Sequence, residues 1–407
     1  MLLAPGMARR GAIQRVWTKR FHETQSSFVR STRSTQGGRK GNHLMRLQWK
    51  ANIPWLLAFT LLLTLFSGSL TFLVSANASA AMASYHQLLT ITGPGIPPHA
   101  ARWPFDISWF DEPSQMYYLA DAGNARVDLI DAKTNTFLGA IGGFTGFHGS
   151  IETQGPAGLV TDNLYQLWVG DGNSTVKVID LMSCSIVATI STGGTKRADE
   201  IAYDPLEQLM LVTNGSDAPP FVSFISVNHR KVVGKIVLPD ARAGLEAPAW
   251  DPVTHKFYVS VPQTTAHPGG EVAVIDPLKK RVVKVYPLAA CNPTGLAFGP
   301  QDELLLGCNG HPVILDARTG RVEATITQVK GCDEVWYNPG SHTYYLAAFL
   351  NTVGKRAAPA LAIVDADSRE WIQSIATVAK AHSVSADAAN NHVFVPESGK
   401  GIVVFAP

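Results

Sequence analysis

The chain of 407 residues is long enough for two or three average domains or for one large repeat fold. Apolar residues make up 46% and charged residues 16%, which excludes a disordered or fibrous chain. Residues 1–50 carry eleven Lys and Arg and a single acid, whereas the rest of the chain carries 23 basic and 31 acidic residues. The main part is therefore acidic and has no basic, aromatic-interleaved stripe, which argues against nucleic-acid binding.

The amino-terminal region contains an export signal. An uncharged apolar run at residues 54–74 follows two basic residues and precedes small residues at A-x-A spacing, so we assign residues 45–80 to a signal peptide. Cleavage is expected after Ala78 or Ala80. The run is also long enough to span a bilayer, which makes a retained membrane anchor the alternative. Both interpretations put residues 81–407 outside the cytoplasm, because the positive charges stay inside.

Residues 1–44 are polar and basic without periodicity. A chain that began at Met45 would have a signal of ordinary length. We therefore expect residues 1–44 to be a disordered basic extension or the product of a mis-called start.

A short β-rich segment that ends in an acid recurs through the rest of the chain. The clear copies are residues 127–131, 176–180, 272–276, 313–316 and 361–365, and degenerate copies end at residues 226 and 406. Successive ends lie 40 to 50 residues apart, which is the period of a propeller blade.

Each copy has the same internal order of four predicted strands. An inner strand runs into a turn often marked by Asp-Pro, Gly-Pro or Asn-Pro, and three further strands follow. The fourth strand occurs six times and the others seven times, and residues 88–93 read like the missing copy. We therefore predict an all-β fold at residues 85–407, a seven-bladed β-propeller of four-stranded blades whose last blade is closed by an N-terminal strand. That closure argues against an open solenoid or a β-sandwich.

The repeated sequence resembles the YVTN-type family of surface-layer and secreted seven-bladed propellers. Residues 176–180 and 209–214 carry the resemblance most clearly, and it extends over residues 85–407. It implies the fold much more strongly than the function, because function depends on sites added to a fold.

One position at the entrance to the inner strands carries many polar residues, and in a propeller these entrances share a face with the loops that join strands two and three. Across the seven copies it reads Asp106, Ala157, Asp199, Glu246, Thr294, Asp333 and His382. Glu200 and Glu334 directly follow two of these residues. Carboxylates that converge on an axis repel one another, so we expect raised pKa values, a bound cation or separation by water. The predicted ligand-binding residues are Asp106, Asp199, Glu200 and His148, and the alternative is a rim of solvated acids without a ligand.

One segment also resembles an enzyme family. Residues 246–251, Glu-Ala-Pro-Ala-Trp-Asp, resemble the Glu-Gly-Pro-x-Trp metal-ligand segment of gluconolactonase-like propellers, and Asp333 falls where that family has a ligand aspartate. The sequence departs from that family at Thr294, where an asparagine ligand is expected, although Asn292 is near. Those enzymes also usually have six blades.

The resemblance implies a divalent metal held by Glu246 and Asp333, with His382 or Glu334 as the proton carrier in hydrolysis of lactones or related esters. His382, at an equivalent entrance position, is a further candidate metal ligand. Oxygen ligands suit Ca²⁺, whereas the imidazole would admit Zn²⁺. No C-x-x-C-H motif is present, so no covalent haem is expected. A noncovalent haem on His148 or His382 stays open without any feature in its favour.

Cysteines are expected to pair in an exported protein. Strand pairing about the turn at residues 299–302 puts Cys308 opposite residues 293–294, near Cys291 and near Cys332. We predict a Cys291–Cys308 disulfide, with Cys308–Cys332 as the alternative.

The function that these features predict is an extracytoplasmic binding scaffold, secreted, periplasmic or on the cell surface. It would present an acidic channel mouth to a small molecule, a partner protein or a cell-wall component. The alternatives are a metal-dependent hydrolase of lactones or related esters, and a self-assembling surface-layer component. We expect a monomer that does not bind nucleic acid and meets a membrane only through an uncleaved amino-terminal segment.

Overall fold

The computed structural model describes residues 84–96 and 103–407. These residues form seven four-stranded antiparallel sheets arranged as a seven-bladed β-propeller. The predicted fold is therefore confirmed. The predictions for residues 1–44 and 45–80 lie outside the described residues.

The strands follow one another around the ring in chain order. The first described strand is β1 (His86–Ile91). Blade one contains β2 (Ser108–Asp111), β3 (Met116–Asp121), β4 (Arg126–Asp131) and β5 (Thr136–Gly142). Blade two contains β6 (Leu159–Thr161), β7 (Gln166–Asp171), β8 (Thr175–Asp180) and β9 (Ser185–Ser191). Blade three contains β10 (Ile201–Asp204), β11 (Leu209–Asn214), β12 (Phe221–Ser226) and β13 (Lys231–Val237).

The next three blades repeat the pattern. Blade four contains β14 (Pro248–Asp251), β15 (Lys256–Val261), β16 (Glu271–Asp276) and β17 (Arg281–Pro287). Blade five contains β18 (Pro293–Phe298), β19 (Glu303–Cys308), β20 (Val313–Asp316) and β21 (Val322–Thr325). Blade six contains β22 (Val335–Asn338), β23 (Thr343–Ala348), a loop hairpin of β24 (Thr352–Val353) and β25 (Arg356–Ala357), then β26 (Ala360–Asp365) and β27 (Trp371–Ala376). Short 3₁₀ turns lie at Ala122–Asn124, Ile151–Thr153 and Pro300–Asp302.

Blade seven joins the two ends of the described chain. It contains β28 (Ser385–Ala386), β29 (Val393–Glu397) and β30 (Gly401–Ala406), and β1 pairs antiparallel with β30 as its fourth strand. The prediction that an early segment supplies the missing strand is therefore confirmed. This pairing completes the ring, so blade seven has the same four strands as the other blades.

The recurrent acids of the sequence terminate strands and shape turns. Asp204 Oδ1 accepts hydrogen bonds from the backbone N–H groups two and three residues later, at 2.9 and 3.1 Å. Asp276 Oδ1 does the same at 3.1 and 2.9 Å, and Asp316 Oδ1 at 2.9 and 2.8 Å. A short carboxylate that accepts from nearby N–H groups stabilises a tight turn. Asp204 at the end of an inner strand, and Asp276 and Asp316 at the ends of third strands, are thus turn residues.

The hydrophobic core of the described residues is divided into clusters that lie between neighbouring blades. Between blades seven and one, Ile91 and Val404 pack with Phe110, Tyr117 and Phe394. The rings of Tyr117 and Phe394 stack with centroids 4.9 Å apart. Burial of these side chains between sheets supplies the main driving force for closing the ring.

The structure contains the predicted disulfide between Cys291 and Cys308, with Cα atoms 4.9 Å apart. Cys332, the alternative partner, is a buried thiol whose backbone N–H donates to the carbonyl of Cys308 at 2.9 Å. The bond fits an oxidising environment outside the cytoplasm. Within residues 84–96 and 103–407, no helix is long and apolar enough to cross a membrane.

Candidate functional site

Four of the entrance residues occupy equivalent places in their blades. Their backbone N–H groups donate to a carbonyl near the end of the second strand: Asp106 to Ala120 at 2.8 Å, Asp199 to Thr213 at 2.8 Å, Glu246 to Ser260 at 3.1 Å and Asp333 to Ala347 at 3.1 Å. In all four blades, the same second-strand residue donates its N–H to the carbonyl of the residue after the entrance position. The backbone is thus held in the same way in each blade, and the four side chains leave it in equivalent directions.

These four carboxyl groups and the two glutamates that follow entrance positions interact electrostatically. We call this set the carboxylate cluster: Asp106, Asp199, Glu200, Glu246, Asp333 and Glu334. Its members come from blades one, three, four and six, and their charges act on one another across blades. The cluster divides into a part with a cation beside it and a part without one.

Arg197 is the cation beside the first part. Its Nη1 lies 2.6 Å from Asp106 Oδ2, and its Nε lies 2.7 Å from Asp199 Oδ2. Gln154 Nε2 donates to the same oxygen of Asp106 at 3.0 Å. Burial by itself would raise the pKa of Asp106, but Arg197 and His382 hold that pKa below its usual value. The carboxylates in turn keep the pKa of Arg197 above its ordinary value against the effect of burial, so the pair is ionic.

The second part consists of Glu200, Glu246, Asp333 and Glu334. Among the described residues, no side chain forms a hydrogen bond or ion pair within bonding distance of these four carboxylates. Burial raises the pKa of all four. For the three glutamates repulsion between like charges comes next, and their pKa values rise well above the usual value, whereas for Asp333 the charge of His382 opposes the increase. Glu200 has an exposed fraction of only 9%. Glu246, Asp333 and Glu334 are half-buried, so Glu200 is the member of this part whose missing partner is costly.

His382 lies at the edge of the cluster in a packed setting. Its ring stacks on Phe105 with centroids 4.9 Å apart, and its Nδ1 lies 2.8 Å from the carbonyl oxygen of Lys380. Its Nε2 is 3.8 Å from Asp106 Oδ1. Burial would lower the pKa of His382, but Asp106 and Asp333 raise it above the ordinary value. These two carboxylates therefore favour the protonated form of His382.

A cavity of about 520 Å³ lies among the inner strands, and residues from all seven blades line it. Glu200 and Glu334 line the cavity, and so do aromatic side chains of the inner strands. Trp109 and Trp336 form an edge-to-face pair with ring centroids 5.4 Å apart. The cavity thus combines an apolar wall with two carboxylates, as small-molecule sites commonly do.

Three side chains around the metal site that the enzyme resemblance implies have other partners: Asn292, Thr294 and His382. Thr294 Oγ1 donates to the carbonyl of Cys332 at 2.8 Å, and Asn292 Nδ2 donates to backbone carbonyls at 2.9 and 3.1 Å. Both ring nitrogens of His382 are directed at oxygen atoms of the protein. Among the residues that the structure describes, no three His, Cys, Asp or Glu side chains are grouped as metal ligands. The donor set as placed does not fit the metal that the resemblance implies.

The hydrogen bond of His148 is formed outside the carboxylate cluster. It is exposed in the loop between β5 and β6, and its Nε2 is 2.8 Å from the carbonyl oxygen of Thr145.

The sequence prediction missed Arg197, which stands two residues before Asp199. A basic residue next to an entrance carboxylate was the available signal. The aromatic residues of the inner strands were recognised as strand formers, but not as a cavity wall.

In comparisons with known proteins, the chain matches no family model and no curated protein sequence. The family resemblances drawn from short motifs therefore stay predictions.

Proposed function

We propose that this protein is an extracytoplasmic binding protein that recognises a positively charged ligand or partner through an acidic mouth of its central cavity. The observation that carries this proposal is the set of four carboxylates, Glu200, Glu246, Asp333 and Glu334, that have no partner among the described residues. Arg197 pairs with two of the six carboxylates, whereas the three glutamates are repelled by neighbouring carboxylates when ionised. A bound cation would remove the repulsion, so the folded protein has a strong preference for cationic ligands.

The long loops near the entrances also indicate that this face of the propeller is the binding surface. The loops between strands two and three are long in blades three, four and six, at residues 214–220, 262–270 and 350–359. In blade three, Asp217 in this loop accepts hydrogen bonds from the backbone of Thr195 at 2.7 Å and Lys196 at 3.4 Å, just before the cluster. Long loops on a rigid scaffold are a common location for binding residues. The location outside the cytoplasm is proposed from the apolar segment at residues 54–74 and the disulfide.

A thermal-shift experiment on the purified protein tests the proposal. The probes are CaCl₂, spermidine, a hexalysine peptide and benzyltrimethylammonium chloride, each compared with NaCl of equal ionic strength. We expect at least one cation to raise the melting temperature of the wild type and to lose this effect in the double variant Glu200→Gln/Glu334→Gln. Binding to the folded state stabilises it by mass action.

Glu207→Gln is the matched control, because Glu207 lies in the same blade as Glu200 and is exposed in the turn after β10. It should respond to the probes as the wild type does. If no probe exceeds the NaCl control, or if the double variant keeps the full response, the proposed function is overturned.

A further inference from the structure

The walls of the cavity carry aromatic side chains, and one end of the cavity carries carboxylates. Its volume is about 520 Å³, within the range of sites for small molecules. The inner strands contribute a set of large aromatic side chains to its lining: Trp109, Tyr203, Trp250, Phe298, Trp336 and Tyr337. All six are partly exposed, and each packs in part against the core clusters between blades, so each presents part of its side chain to the cavity.

The carboxylates of the cavity lie where the inner strands begin. Glu200 of blade three and Glu334 of blade six are both lining residues. Among all charges, that of Glu334 raises the pKa of Glu200 the most, after the effect of burial. Each glutamate directly precedes the inner strand of its blade, so the two belong to the same end of the cavity. Glu200 is nine-tenths buried, and no described residue pairs with its carboxylate.

The other blades have no ionisable side chain at the position that Glu200 and Glu334 occupy in theirs. The residues equivalent to Glu200 and Glu334 are Ile107, Gly158, Ala247, Gly295 and Ser383. A Cβ at Gly158 would lie 2.4 Å from the Cα of Glu200, and one at Gly295 would lie 2.5 Å from the carbonyl oxygen of Asp333. Glycine is required at both positions by these close approaches, so the two glutamates are the ionisable side chains at this level.

This combination selects among cations. A hard metal ion needs several oxygen ligands at once and gains nothing from aromatic walls. A basic peptide is too large for the cavity and would contact the rim alone. A small organic ammonium ion with an apolar body satisfies both parts, because ammonium groups bind carboxylates and are attracted to the faces of aromatic rings.

We propose that the central cavity binds a small organic ammonium cation, with its nitrogen between Glu200 and Glu334 and its apolar body against the aromatic wall. This inference rests on the proposed function, since it names the class of ligand that the same site takes. It adds a requirement that the function alone does not make, namely that affinity depends on the aromatic side chains of the cavity.

Calorimetric titration with three probes tests the inference. The probes are benzyltrimethylammonium, tetramethylammonium and the uncharged 3,3-dimethyl-1-butanol. We expect benzyltrimethylammonium to bind at least tenfold more tightly than tetramethylammonium, because its ring adds contact with the wall. The uncharged alcohol should bind at least tenfold more weakly than benzyltrimethylammonium.

Two matched pairs of variants separate the carboxylates from the wall. Glu200→Gln and Trp336→Leu should each weaken benzyltrimethylammonium binding about tenfold or more, which corresponds to about 1.4 kcal/mol. Glu207→Gln in blade three and Trp371→Leu on the outer strand of blade six should leave the affinity unchanged. Trp336→Phe keeps an aromatic ring in place if the leucine variant fails to fold, and it should weaken binding by a smaller factor.

The outcomes distinguish this inference from the function on which it rests. If Glu200→Gln weakens all cations while both Trp336 variants bind normally, the acidic mouth stands and the aromatic ammonium site is overturned. If the two quaternary cations bind equally, or if the uncharged alcohol binds as tightly as benzyltrimethylammonium, the inference is also overturned. If no carboxylate variant alters binding of any cation, both proposals fail.

Discussion

The inner strand of blade three has a buried acid at each end, and the two acids are in opposite situations. Asp204 ends β10, and its Oδ1 accepts hydrogen bonds from the backbone N–H groups of Leu206 and Glu207 at 2.9 and 3.1 Å. Glu200 precedes β10 directly, and its carboxylate has no partner among the described residues, although the residue lines the same cavity as Glu334. Burial raises the pKa of both acids, yet for Asp204 the backbone N–H groups oppose the increase.

This contrast separates a structural acid from a candidate for binding. An acid that accepts backbone hydrogen bonds is explained by the turn that it stabilises. An acid that is buried among like charges lowers the stability of the fold and is retained where a ligand compensates. Both residues are acids at an end of the same inner strand. What differs is the set of groups around the carboxylate.

The largest effect is expected from Arg197→Met, which would leave Asp106 and Asp199 buried without a cation beside them. Loss of one partner from a buried ion pair costs about 3–5 kcal/mol in the free energy of unfolding. The cost at pH 8 should be larger than at pH 5, because Asp199, with a pKa raised to about 7, takes up a proton at the lower pH. Urea denaturation at both pH values measures the difference.

Lys196→Met is the control for this variant. Lys196 is adjacent in sequence and pairs with Glu152 at 2.6 Å, but both side chains are exposed. An exposed pair contributes about 0–1 kcal/mol, so this variant should be close to wild type. Equal effects of the two variants would contradict the description of Arg197 as the buried cation of the cluster.

An intermediate effect is expected at the other end of β10, from Asp204→Ala. This change removes the acceptor of two backbone hydrogen bonds and should cost about 1–2 kcal/mol. Asp204→Asn keeps one oxygen that can accept both bonds and should lie within about 0.5 kcal/mol of the wild type. Thermal and urea denaturation of the two variants provide the measurement. A large loss with asparagine would mean that the charge of Asp204 matters as well as its hydrogen bonds.

The smallest effect, of opposite sign, is expected from Glu200→Gln. Its pKa in the folded protein is above the usual value, so the folded state binds this proton more tightly than the unfolded state does. Stability from such a group is present below the unfolded pKa of about 4.5 and is lost as the pH rises through the folded pKa. We expect Glu200→Gln to be about 1 kcal/mol more stable than the wild type at pH 8 and equal to it at pH 4.5.

Urea denaturation at several pH values measures this difference. The same experiment on the wild type gives the slope of the free energy of unfolding with pH. Each additional proton bound by the folded state contributes about 1.4 kcal/mol per pH unit, with stability falling toward high pH. Glu207→Gln should have the same stability as the wild type at every pH. A Glu200→Gln variant that is less stable than the wild type at pH 8 would contradict the absence of a partner for this carboxylate.

The fold could be predicted closely because its signals are local and repeated. The turn residues and the alternation of strand residues recur at intervals of 40 to 50 residues, so each copy supports the assignment of the others. The predicted inner strand at 201–203 became Ile201–Asp204, and the predicted segment at 88–93 became His86–Ile91. The hairpin of β24 and β25 was not predicted, because it occurs in one blade alone and has no copy to support it.

The sequence by itself determined the seven blades, the closing strand and the location of acids at the entrances, because these depend on spacing along the chain. It also favoured the Cys291–Cys308 pair, which follows from strand register. Only the tertiary structure decided which acids are paired with Arg197 and which have no partner. Electrostatic interactions act through space between blades that are far apart in sequence, and so the charge balance of the cluster and the aromatic wall of the cavity appear only when the ring is closed.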